Sequence, residues 1–289
     1  MFGRFATKLG SGRIWQRIFL ERLTEPLHLN LLSVPVAMFG SFEQKVAFDL
    51  VLRHHNAFGI LKAAQLAKGA GIAGITVLEF GVAAGAGIAN MCDIAAAAGK
   101  ATGVEIRVLG FDTGKGMPPP VDWRDHPDLY GAGDFPMDVE GLKARLPASC
   151  ELLLGELRDT VPQALAAGRF ADYPIGYAVI DVDYYSSARQ ALRIFEGSAR
   201  NYLPLAVVYL DDIFMDEHNP KAGELLAVDE FNAACERRVV CRNEFLVTER
   251  IFSRAKWLKQ VYFLHVMDHP LRSNPKAREV VVLTNPYLR

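Results

Sequence analysis

The sequence predicts an α/β chain built on a doubly wound, Rossmann-like sheet of seven strands, the last one antiparallel. Three observations predict it. Short apolar runs alternate with helix-periodic segments from about residue 74 to 237, the pattern of β-α units on a parallel sheet. The first run, Ile75 to Leu78, passes through Glu79 into a turn with Gly81, Gly85 and Gly87, then into an alanine-rich segment. That is strand, tight turn, helix. Finally, the link between the apolar runs Val261 to Met267 and Glu279 to Leu283 is short and holds Pro270 and Pro275. Parallel neighbours need a crossover of about a dozen residues, so these two strands are expected to be antiparallel.

In chain order, segment 43–70 has the spacing of one or two amphipathic helices. Strand one is expected at 74–80 and a helix at 87–99. Strand two, Ile106 to Phe111, ends at Asp112. Stretch 113–150 is dense in proline and glycine, and reads as an irregular, lid-like insertion. Strand three, Glu151 to Leu154, precedes a helix through Val161 to Ala167. Strand four, Tyr177 to Ile180, ends in Asp181-Val182-Asp183, before a helix at 187–199. Strand five, Ala206 to Leu210, ends in Asp211-Asp212, before a helix at 221–237. No internal repeat is visible. Residues 1–40 are expected to be a helical extension, and 41–289 the main domain.

The 289 residues are 51% hydrophobic and 22% charged, with a net charge of -1. This is a globular composition, and the charge gives no reason to expect nucleic acid as a partner. Cys92, Cys150, Cys235 and Cys241 form no C-x-x-C pair, which disfavours zinc and a disulfide framework. A cytoplasmic location is expected. No integral membrane segment is expected, because the run Leu27 to Phe39 is short and interrupted by His28, Asn30 and Pro35. Upstream, Arg4, Lys8, Arg13, Arg17 and Arg22 alternate with Phe2, Phe5, Trp15 and Phe19. This pattern is expected to form a helix that packs on the domain or on a second copy in a homo-oligomer, with a basic amphipathic helix touching a membrane surface as the alternative.

The turn reads E-x-G-x-x-x-G-x-G, not the dinucleotide fingerprint G-x-G-x-x-G. Small residues admit close approach of a ligand, and the next helix offers unpaired N–H groups. Glu79 at the strand end suits a positively charged ligand such as S-adenosylmethionine (SAM). In a doubly wound sheet, ligands bind at the carboxyl ends of the strands. Glu79, Asp112, Asp181, Asp183, Asp211 and Asp212 all fall there. Helix capping explains one such residue, but not six.

Five stretches resemble the class I SAM-dependent methyltransferases, and more closely the macrocin O-methyltransferase family of macrolide-sugar enzymes. They are EFGVAAGAG (79–87), GFDTGKGMP (110–118), LLLGELRDTVPQAL (152–165), IDVDYYSSARQAL (180–192) and VVYLDDI (207–213). The resemblance implies a SAM-dependent O-methyltransferase with a small-molecule acceptor, sugar or otherwise. It places Glu79, Gly81, Ala83 and Gly85 along the methionine part of SAM, Asp112 and Thr113 at the ribose, and Gly155 and Glu156 beside the adenine. It assigns Asp181, Asp211 and Asp212 to a divalent cation, expected to be Mg²⁺. The chain departs from the family pattern DGDLYES by reading DVDYYSS at 181–187.

A hydroxyl is a poor nucleophile until deprotonated, and a bound hard cation lowers its pKa. Asp181 is therefore a catalytic as well as a metal-binding candidate. His265, in the apolar run FLHVM, is the candidate base, and as an alternative it is a satisfied core residue. Asp183 either joins the ligands or caps the following helix. Trp123, Tyr130 and Phe135 either cover an acceptor or pin the insertion. Two other readings stay open: a nicotinamide-dependent oxidoreductase, against which G-x-G-x-x-G is missing, and a non-catalytic SAM-binding protein, which needs no metal cage.

Overall fold

The structure, a computed structural model, describes residues 22–214 and 218–273. The basic helix expected before residue 22 and the strand expected at 279–283 lie outside them.

The described residues form one seven-stranded sheet. Its strands are β1 (Gly74–Phe80), β2 (Glu105–Asp112), β3 (Cys150–Leu154), β4 (Ile175–Ile180), β5 (Tyr202–Leu210), β6 (Arg238–Arg242) and β7 (Val261–Val266). The order is β3-β2-β1-β4-β5-β7-β6. The first five are parallel, and β7 is antiparallel to both β5 and β6. A seven-stranded sheet with its last strand antiparallel agrees with the sequence reading, but the strands at its end do not. Val261–Val266, expected as the sixth strand, is the seventh and reversed one, and it pairs with β6, in the segment RVVCR where no strand was expected. Arginine at both ends and only five residues hide its apolar pattern, as befits a short edge strand.

Seven helices bear on the site or its frame: α1 (Leu27–Phe39), α2 (Phe42–Ala47), α3 (His54–Ala70), α4 (Ala86–Thr102), α5 (Val139–Lys143), α6 (Leu157–Ala166) and α7 (Tyr185–Leu192). With α8 (Gly223–Ala234), helices α3, α4, α6 and α7 cover the sheet. Alternation along each strand splits the core in two, since successive side chains point to opposite faces. Val77, Tyr177, Val179 and Val207 pack under α3 and α4. Leu78, Phe80, Ala178, Ile180 and Val208 pack under α6, α7 and α8. The central strands β1 and β4 are buried throughout, as expected of parallel strands covered on both faces.

Helix α3 feeds β1 through a short turn, so it runs antiparallel to that strand. Its first residues therefore sit at the carboxyl edge of the sheet. The buried Tyr177 hydroxyl donates to Asn56 Oδ1 at 2.9 Å and fixes that end. The insertion 113–150 is mostly irregular, as read, with a 3-10 turn at Trp123–Asp125 and the single-turn α5. No helix among the described residues is long and apolar enough to cross a membrane.

Candidate active site

The carboxyl edge is levelled by backbone bonds that continue the ladder beyond the strands. Gly81 N donates to Phe111 O, Asp181 N to Phe80 O, and Asp211 N to Ile180 O, each at 3.0 Å. The residues just after β1, β4 and β5 are thus held side by side. A cavity of about 840 Å³ opens over them, towards the upper end of the usual range for small-molecule sites.

On one side is the glycine turn. Gly81 has φ +85, and a Cβ there would lie 1.7 Å from the Asp181 carbonyl oxygen. No other residue lets β1 and β4 approach this closely. Ala83 also has positive φ, 46°. The Asp112 carboxylate latches the turn: Oδ2 accepts from Val82 N and Ala83 N at 2.9 Å each, and Oδ1 from Gly114 N at 2.7 Å. An ionised carboxylate has about four acceptor positions, so one remains for a ligand. Thr113 lines the cavity, but its hydroxyl is engaged within its own turn, donating to Gly116 O at 2.7 Å.

Glu79 is 2% exposed and forms part of the cavity floor. Its Oε2 has no partner. Burial pushes its carboxyl well above the usual range, and the Asp181 charge adds to this, while Arg53 opposes it. Gly87 sits on Glu79, and a Cβ there would fall 1.9 Å from Oε1. Two expected ligand contacts are not lining residues. Gly85 faces Leu142 of α5 rather than the cavity. Gly155 lies just behind the wall, donating to Asp112 O at 2.9 Å, while Glu156 reaches the cavity.

On the other side are the aspartates. Asp181, Asp211 and Asp212 each offer one carboxylate oxygen, all within 4.8 Å of one another. Asp183 joins them, its N–H donating to Asp212 Oδ2 at 3.1 Å. It does not cap α7: the N-cap is Tyr184, and Asp183 has φ 56°. Burial raises Asp181 and Asp212 well above the usual carboxyl range, and the neighbouring aspartates raise them further. Such a set holds together only with protons or a cation between its members. All-oxygen donors with open positions suit a hard divalent ion.

Three residues of the site were not read from the sequence. Glu224, 1% exposed, accepts from Val182 N at 3.4 Å and Asp212 N at 3.3 Å, binding both aspartate loops from below. Gln260 donates to Leu210 O and Asp211 O at 3.1 and 2.6 Å. Arg53, at the start of α3, lines the cavity and lowers Glu79, Asp181 and Asp211 electrostatically. Its signal in the sequence is slight, a lone arginine before a helix.

His265 does not belong to the site. It pairs with Leu205, five residues back from the carboxyl end of β5, because β7 runs the other way. At about 3.3 Å per residue the six steps from Leu205 to Asp211 put it roughly 20 Å from the aspartates. Desolvation lowers its pKa, consistent with a histidine packed within the sheet. His269 lies further along the same direction, and Asp268 pairs with Arg238 at 2.8 Å.

The insertion forms the outer wall. Asp125, 1% exposed, accepts from Ser186 N at 2.7 Å and Ser186 Oγ at 2.9 Å. Leu142 packs on the glycine turn. Between these anchors, Tyr130, Asp134 and Phe135 face the cavity, with Met117 and Val121 beside them. Trp123 is exposed and does not line it.

No protein-family model matches this chain, and no curated protein matches it in sequence. Solved structures match its fold. The calicheamicin methyltransferase CalS11 superposes with a TM-score of 0.51 at 18% identity, over 88% of this chain and 90% of that one. The O-methyltransferase NovP does so with a TM-score of 0.50 at 16% identity, over 73% and 79%. The chain therefore shares the fold of these methyltransferases.

Proposed function

We propose that this chain is a SAM-dependent O-methyltransferase that uses a divalent cation and acts on a hydroxyl of a small molecule with an apolar body. The observation that carries this reading is the aspartate triplet, of which Asp181 and Asp212 line the same cavity as a glycine turn, on a methyltransferase fold.

SAM, when bound, supplies a sulfonium methyl for in-line displacement, and the cation, when bound, lowers the pKa of the acceptor hydroxyl. The protein does the rest. The glycine turn lets the donor lie close to the backbone. Glu79 faces the ammonium of its methionine part, and Arg53 faces the carboxylate, a charge-assisted contact at each end. Asp112 keeps the turn in shape and offers its remaining acceptor position to the ribose, and Glu156 borders the base. Asp181, Asp211 and Asp212 hold the cation, expected to be Mg²⁺. Asp183 takes the role first assigned to His265, since it stands beside the triplet in the cavity and accepts the hydroxyl proton. Holding donor and acceptor in contact contributes on the order of 7–11 kcal/mol in favourable cases.

The acceptor end lies under the insertion. Met117, Val121, Tyr130 and Phe135 suit a sugar-bearing or aromatic acceptor better than a charged one. The stretch between the two anchors, paired with Met117 through Gly133 and Asp134, is the part expected to act as a lid that excludes water.

The test is calorimetry with S-adenosylhomocysteine (SAH) and with NADH, followed by labelled SAM and acceptor mixtures with Mg²⁺ or EDTA. SAH binding and Mg²⁺-dependent label transfer are expected. Binding of NADH in place of SAH would favour an oxidoreductase. SAH binding without transfer to any acceptor would favour a non-catalytic role.

A further inference from the structure

Helix α1, residues LHLNLLSVPVAMF, contains no Asp, Glu, Lys or Arg. Its only buried residue is Ser33, whose hydroxyl donates to Leu29 O. Leu27 is 71% exposed, Leu31 64%, Val34 57% and Met38 67%. The steps between these four are four, three and four residues, the a/d spacing of a helix-pairing seam. Their exposed surface is on the order of 500 Å², near the top of the range for the largest apolar patch on a typical monomer. Two copies packed along this row would bury about 1,000 Å² together, the lower bound for a specific interface; Leu32 and Phe39, also exposed, lie on another face of the helix.

The helix is not a loose end. Arg22 at its base donates to Phe48 O at 2.7 Å and lies over the Phe252 ring at 3.9 Å. Asn30 ties back to Arg22 O at 2.8 Å. Glu25 accepts from Arg254 N at 2.7 Å, and the Arg254 guanidinium donates to Thr24 O. The domain thus anchors the start of a helix that presents an apolar row to water, which is costly unless something covers it.

We propose that α1 is a dimerisation helix, with Leu27, Leu31, Val34 and Met38 packing on the same residues of a second copy of this chain. An uncharged apolar row is self-complementary under a two-fold axis, as an isologous interface requires. A helix lying on a membrane surface carries Lys or Arg on its polar face, and α1 has none. Thirteen residues span about 20 Å, too short to pair alone, but here the domain fixes the helix in advance.

Light scattering on the full chain at micromolar concentration is the test. The expected mass is twice 31.9 kDa. Leu31→Glu/Met38→Glu, both at exposed positions, is expected to give a monomer with unchanged circular dichroism. Leu31→Cys/Val34→Cys is expected to form a covalent dimer under mild oxidation, which the wild type does not. A monomeric wild type would overturn the proposal, as would a dimer that survives the glutamate pair. A wild type that stays monomeric and floats with anionic phospholipid vesicles would assign the row to lipid instead.

Discussion

Asp125 caps a helix to which it does not belong. Its carboxylate accepts from the backbone N–H of Ser186 in the first turn of α7 and also from the Ser186 hydroxyl. Helix N-termini carry unpaired N–H groups and favour an anion, so this contact both stabilises α7 and ties the insertion to it. Asp125→Ala should destabilise the protein by about 1–3 kcal/mol. It should also speed limited proteolysis between residues 113 and 138. Thermal unfolding and a trypsin time course check both, and unchanged cutting would mean that other contacts hold the insertion.

The aspartate triplet makes stability respond to metal in the absence of any substrate. Mg²⁺ at about a hundred times its dissociation constant should stabilise the wild type by roughly 2.7 kcal/mol. Asp181→Asn should abolish that response and methyl transfer together, while leaving SAH affinity nearly intact. A thermal shift with Mg²⁺ in the asparagine variant would place the ion elsewhere.

Asp183 and His265 offer opposite expectations. Asp183→Asn should lower kcat by about 10²–10⁴, the usual contribution of a positioned base, without loss of SAH binding. His265→Ala should leave kcat unchanged, since His265 lies near the other edge of the sheet. Activity lost in the histidine variant but not in the asparagine one would reverse the assignment.

Arg53 is expected to recognise the carboxylate of the donor. Arg53→Met should weaken SAH by about ten- to a hundredfold, the range for a hydrogen bond to a charged group. It should leave methylthioadenosine, which has no carboxylate, unaffected. Equal losses for both ligands would mean that Arg53 merely shapes the cavity.

Gly87 and Gly85 fail in different ways. Gly87→Ala places a methyl on the Glu79 carboxylate and should reduce SAH affinity at least tenfold. Gly85→Val collides with Leu142, so its first effect should be on the packing of the insertion. Calorimetry and proteolysis together separate the two.

The strands around the site were legible because each is a short apolar run with an acidic residue at its end, a local signal. β6 was not, since an edge strand of RVVCR has too few apolar residues to show a period. Glu224 was illegible for another reason. An acidic residue in the first turn of a helix normally faces water, and only the packing of α8 against the loops after β4 and β5 buries it. His265 misled because sequence shows that a residue lies in a strand, but not which way the strand runs. The reversed strand was expected at 279–283, after the strand that holds His265, whereas the strand that runs backwards is β7 itself and carries His265 away from the aspartates.

The two anchors of the insertion, Asp125 on Ser186 and Leu142 on the glycine turn, divide labour along the chain. The chain on either side of the insertion runs into β2 and β3 of the sheet, while the stretch between the anchors carries no strand or long helix. That stretch is therefore an exchangeable cassette. Grafting a different sequence between residues 127 and 137 should alter which acceptors fit, with little effect on folding or on the donor half of the cavity. A lineage of such proteins could diversify its substrates by changing one surface loop, and a designer could do the same.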